Sequence, residues 1–166
     1  PLKVIDKHGA DAVRYTCISI APSGGRVKME EKDFDNGSRF VTKIWNAYKF
    51  LMMRIPENYT PKPLKDCGLP LPSRWLLTRF SEVSQQINTN LSQYRINEAT
   101  ECLFHFVWRD FCDWGLEAAK FSLDEKAADQ EDVLSSLVYV FDGLLRLAAP
   151  VMPFVTEEIW QKIPHH

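Results

Sequence analysis

Apolar residues recur every three or four positions along most of this chain, and no run alternates in the two-residue period of a half-buried strand. Four long amphipathic helices are predicted on that basis, near residues 33–54, 73–94, 97–122 and 130–149. The first carries Phe34, Val41, Ile44, Trp45, Tyr48, Met52 and Ile55 on one side and is closed by Pro56. In the second, Leu76, Phe80, Val83, Ile87, Leu91 and Tyr94 recur behind an N-cap at Ser73. Asn97 caps the third, with Leu103, Val107, Phe111, Trp114, Ala118 and Phe121 inward. Asp129 caps the fourth, built on Leu134, Leu137, Phe141, Leu144 and Ala148, and Pro150 ends it. Pro153 suits the first turn of a short last helix through Trp160. Ahead of these, the chain to about Ser19 reads as one or two short helices broken near Gly9. Residues 21–25 form a turn cluster, 26–29 a short extended piece, and the proline-rich stretch 58–72 a surface loop. The expected fold is all-α, an antiparallel helical bundle with Trp45, Phe80, Phe111, Trp114 and Phe141 in its core.

The polar side of the first long helix changes this picture. At roughly 100° per residue, Lys32, Asn36, Arg39, Lys43, Asn46 and Phe50 fall within about 40° of one line. That geometry gives an outer ridge of cations and amides ending in an exposed ring. Charges suit phosphates, amides suit base edges and a ring suits stacking, so the ridge has the chemistry a single strand of nucleic acid requires. A solvated helix face with one stray Phe is the plainer account of the same pattern.

Composition narrows the classes. At 166 residues, 45% hydrophobic, the chain fits one globular unit large enough for a proper core. Its mean hydropathy is -0.25. No apolar run reaches membrane-spanning length and the first residues lack a signal-peptide pattern, so a cytoplasmic location is expected. A formal net charge of -2 excludes a non-specific polyanion binder; any nucleic-acid contact must be a local patch. Cys17, Cys67, Cys102 and Cys112 form no Cys-x-x-Cys pair, so no metal site is expected. Cys102 and Cys112 share one predicted helix about 15 Å apart, too far to bridge, and reduced thiols follow.

Catalysis finds little footing. No glycine-rich phosphate loop is present, and no His pair has ligand spacing on a helix face. The adjacent carboxylates Glu30-Glu31 and Glu157-Glu158 point some 100° apart on a helix, so neither pair converges on a reaction centre. His105, beside Arg109 and Cys112 on a polar face, reads as exposed and idle. No catalytic residue is assigned.

Four blocks then occur in order: Gly9-Ala-Asp-Ala-Val-Arg-Tyr15, Lys43-Ile-Trp-Asn-Ala-Tyr-Lys-Phe50, Phe111-Cys-Asp-Trp114, and Met152-Pro-Phe-Val-Thr-Glu-Glu-Ile-Trp160. Together they resemble the C-terminal anticodon-binding region of the valyl-tRNA synthetase family, over almost the whole chain. The first and last blocks are shared with isoleucyl, leucyl and methionyl relatives; the middle two are more valine-like. The resemblance implies a stem-contact connection over residues 1–22 and an anticodon-binding bundle over 23–166. It implies tRNA, valine isoacceptors in particular, as partner, and an upstream catalytic domain of the same chain that uses ATP and Mg. No cofactor is expected within this stretch, which alone would be inactive. Carried over residue by residue, anticodon contacts would fall on Lys32, Lys43, Phe50, Leu116 and Glu117, with Asn36, Arg39 and Asn46 as possible additional RNA contacts. Leu116, on the polar side of its predicted helix with Arg109 and Lys120, would pack against a base, and Glu117 would accept from an exocyclic amine. Gly115 departs from the bulky residue usual there, and Lys32 stands where Arg also occurs. An isoleucyl- or leucyl-type anticodon domain, and a helical protein-interaction module without an RNA role, are the alternatives.

Overall fold

In the computed structural model, residues 2–20, 29–64, 68–124 and 127–165 are described, and every regular element among them is helical. α1 (Leu2–His8) and α2 (Ala10–Ile20) are separated by Gly9, whose φ of 84° suits a residue without a Cβ. α3 spans Glu31–Met52 and α4 Leu71–Ser92. α5 (Ile96–His105) passes directly into a π-helical stretch, Phe106–Leu116, and on into α6 (Glu117–Asp124). α7 (Gln130–Ala148) and α8 (Pro153–Trp160) complete an all-α bundle. The four long predicted helices therefore lie within two residues of their expected bounds. The expected turn cluster at 21–25, and 26–28 of the extended piece, fall outside the described residues. No helix among the described residues is long and apolar enough to cross a membrane.

Two caps differ from expectation. Pro70 takes the N-cap position of α4 and Ser73 is buried inside its first turn, because Pro72 presets the helical φ one turn early. Arg95, not Asn97, precedes α5. Asp129 sits where expected before α7 but makes no side-chain capping bond. At the far end of α4, Leu91 and Tyr94 are exposed rather than inward; Tyr94 has left the helix with a φ of 58°.

The core is continuous through the bundle, from Phe40 and Ile44 on α3 through Leu76, Phe111 and Phe141 to Met152 and Ile159. Phe111 and Phe141 stack at 5.5 Å with planes 16° apart. Trp45 and Phe80, expected inside, lie half-buried against this core. On α3 the buried residues are Gly37, Phe40, Ile44, Ala47 and Leu51, a line rotated by about 75° from the expected one, toward the basic stripe. The cause is the crossing with α2. A Cβ on Gly37 would stand 2.5 Å from the Ala12 carbonyl oxygen, so only a bare glycine admits this approach. Gly37, the smallest residue of α3, marks its close contact with α2.

The third long helix holds the larger correction. Leu103, Val107 and Phe111 are buried as expected. Beyond Phe111 the buried set slips by one residue, to Gly115, Leu116, Ala119 and Leu123. Trp114 and Phe121 consequently stand 63% and 68% exposed, and Ala118 is exposed with them. A π-helix bonds i to i+5 and so takes up an extra residue per turn, which displaces every later side chain from its 3.6-residue position.

The outermost sequence blocks meet in space. The Asp11 carboxylate accepts the backbone N–H groups of Phe154 (3.2 Å) and Val155 (2.6 Å), which caps α8 from another helix. Arg14 donates to the carbonyls of Pro150 (2.9 Å) and Val151 (3.1 Å) just past α7. Both residues are framework.

Candidate nucleic-acid interface

α3 presents its polar side along the π-helical stretch and α6, and paired charges join the two. Lys43 Nζ lies 2.9 Å from Asp113 Oδ1 and 4.9 Å from the centre of the Trp108 ring. Two turns on, Phe50 is half-buried beneath the Arg54 guanidinium, 3.8 Å above its ring, with Lys120 Nζ at 5.8 Å. Lys120 also reaches Glu117 Oε1 at 2.6 Å. One strip of surface thus holds Lys43, Asp113, Phe50, Arg54, Lys120 and Glu117. Phe50 is not the freely exposed ring the helical wheel implies, because the rotation of α3 draws that edge of the stripe toward the bundle.

The other expected residues separate from this strip. Leu116 is only 6% exposed and belongs to the core; the π-helical slip turned it inward, so it offers no surface to a base. Lys32 is exposed and paired with Glu30 at 2.9 Å, about 27 Å along the helix axis from Phe50. Asn36, Arg39 and Asn46 are exposed. Asn36 and Arg39 border a cleft of about 500 Å³ floored by Tyr15, Phe104 and Trp108. Gly115 abuts Leu76, whose methyl carbons would lie 3.1 and 3.2 Å from an added Cβ.

Arg54 and Trp108 join the strip without a signal in the sequence, and Lys120 joins it from the polar side of the helix it shares with Glu117. Glu117 and Lys120, three apart on one helix, carried the available signal. Charge pairing makes the strip amphoteric: each carboxylate has a cation within reach, and the rings lie beside them. It can stack bases and accept phosphates, with the Glu117 carboxylate open to an amine on one oxygen.

The strip contains no activated nucleophile. Cys112 is buried beneath Lys43, and burial pushes its thiol up to about 12. His105 is exposed, 3.7 Å from Glu101. Among the described residues no three His, Cys, Asp or Glu side chains gather in a way that could hold a metal ion.

Residues 73–166 match the family model described as the anticodon-binding domain of tRNA ligase. The valine–tRNA ligases of Thermotoga maritima and Syntrophotalea carbinolica are each 41% identical to this chain, over 99% of it and 18% of their own length. That of Enterococcus faecalis is 40% identical over 99% of this chain and 19% of its own. The chain therefore spans about a fifth of these relatives. A leucyl-tRNA synthetase of Agrobacterium radiobacter K84, solved in ternary complex with tRNA and LeuAMS, superposes with a TM-score of 0.71 at 17% identity. The match covers 97% of this chain and 19% of that one, and the likeness is one of fold. This chain belongs to the anticodon-binding domain family of tRNA ligases.

Proposed function

We propose that this chain is the anticodon-selecting bundle of a cytoplasmic valine–tRNA ligase. It selects valine tRNA for an ATP- and Mg-dependent catalytic domain elsewhere in the longer protein. The observation that carries the reading is the strip on which Lys43, Phe50 and Glu117 meet. Phe50 under Arg54 offers a cationic stacking platform, Lys43 and Lys120 meet phosphate, and Glu117 reads a base amine. Asn36, Arg39 and Asn46 extend the contact along α3, and residues 1–22 serve as the stem-contact connection. Lys32, far along the axis, meets the backbone of the RNA rather than the loop bases. Leu116 acts by supporting Glu117 from within the core.

The test is a titration of the chain with valine tRNA and with the same tRNA carrying a changed anticodon. Tighter binding to the native anticodon, weakening steeply with added salt, is the expected result. Equal binding of both, or binding indifferent to salt, overturns the proposal.

A further inference from the structure

Two large rings on the third long helix have no use in the fold. Trp114 is 63% exposed and Phe121 68% exposed, although the chain buries most of its other aromatics against one core. They lie seven residues apart, with exposed Glu117 and Ala118 at the intervening i+3 and i+4 positions. All four therefore share one outward face, the rings about 10 Å apart along the axis. A continuous 3.6-residue helix would have buried both rings; the π-helical slip at Phe106–Leu116 turns them out.

This face is continuous with the Phe50 strip. Lys120, next to Phe121, reaches both Glu117 and the Phe50 ring. Asp113, next to Trp114, is paired with Lys43. The two carboxylates nearest the rings are thus already compensated, and cations flank them on the α3 side. Isolated rings among paired charges do not make an apolar groove for a protein helix, which needs contiguous apolar anchors. They do make separate flat surfaces beside positive charge, which is how unpaired bases are held with little regard to sequence.

We infer that Trp114 and Phe121 form a second stacking surface for unpaired RNA bases, continuous with the Phe50 strip. This rests on the anticodon-loop reading above and extends it from one helix to two. Glu117 stands between the rings, so a base placed on either one would present its edge toward that carboxylate. The rings supply affinity and Glu117 the choice.

The test uses the 166-residue chain and a fluorescein-labelled RNA hairpin bearing the valine anticodon loop, read by fluorescence anisotropy. The same stem closed by an unrelated short loop is the control. Trp114→Ala and Phe121→Ala should each weaken binding to the anticodon hairpin roughly 5- to 100-fold, the range that loss of one stacked base gives. Binding to the control hairpin, whose shorter loop offers the rings fewer unpaired bases, should fall by a smaller factor, thermal melting should match the parent, and Trp114→Phe should restore most of the affinity. If both alanine variants bind the anticodon hairpin as the parent does, this inference is overturned and the anticodon reading stands. If the parent itself does not prefer the anticodon hairpin to the control, both fall. Intact loop binding with lost self-association in sedimentation assigns the rings to a contact between copies and also overturns it.

Discussion

Phe50 combines packing in the bundle with the recognition proposed for it. Its ring is half-buried and covered by Arg54 at 3.8 Å, so truncation removes core contact as well as a stacking face. Phe50→Ala should cost about 1–2 kcal/mol of stability, less than the 3–5 typical of a fully buried Phe. For a chain of this size that is a fall of roughly 2–8 °C in Tm, measurable by circular dichroism. Cys112 belongs to the same scale. With its thiol pushed up to about 12, the folded chain holds the proton that an unfolded one releases near pH 9. Stability from this group is therefore complete below about pH 9 and declines as pH rises above it. Alkylation mapped by mass spectrometry at pH 8 should label exposed Cys17 rapidly, half-buried Cys102 slowly and Cys112 only on unfolding. Rapid labelling of Cys112 in the native chain would contradict this burial.

Among the elements, helix ends were legible in the sequence because prolines and periodicity mark them directly. Which way a helix faces was less so. Large side chains dominate the apolar pattern of α3 in the sequence, whereas Gly37 and Ala47 lie on the side that is buried. The π-helical stretch left no trace in hydrophobic periodicity, since a reading at 3.6 residues per turn assigns each position before the extra residue is known. Leu116 and Trp114 exchanged places for that reason alone. Lys43, Phe50 and Glu117 keep accessible surface because each lies at the margin of its buried face, where a modest rotation changes exposure without hiding the side chain. Gly37→Ala tests the crossing. In an unconstrained helix this change stabilises by about 0.5–1 kcal/mol. Here the added methyl meets the Ala12 backbone oxygen at 2.5 Å and Thr16 Oγ1 at 2.6 Å. Overpacking of that kind costs about 1–3 kcal/mol, so Tm should fall, and a rise would mean the helices stand further apart than described.

At the scale of the whole molecule, the sequence blocks divide by task. The Gly-Ala-Asp-Ala-Val-Arg block and the Pro-Phe block tie the two ends of the chain together. The Lys-Ile-Trp-Asn and Phe-Cys-Asp-Trp blocks form the strip that faces RNA in the proposed function. Arg79 stiffens the second of these from behind, reaching the buried Asp110 carboxylate at 3.1 and 3.2 Å from α4. Changes to the framework blocks should therefore lower stability without altering anticodon preference. Asp11→Ala removes the acceptor for two N–H groups at the start of α8 and should cost about 1–2 kcal/mol, as losing an N-cap does. Its preference between native and changed anticodons, measured on the folded fraction, should equal the parent's.

The pairing of Asp11 with the start of α8, and of Arg14 with the turn before it, joins residues 136 to 144 positions apart. During synthesis α2 emerges from the ribosome with these groups unsatisfied. At about 5–20 residues per second, the turn that receives them is made roughly 7–30 s later. The polar groups of α2 are thus made well before their partners, and the join between the two segments closes only once α8 has been made.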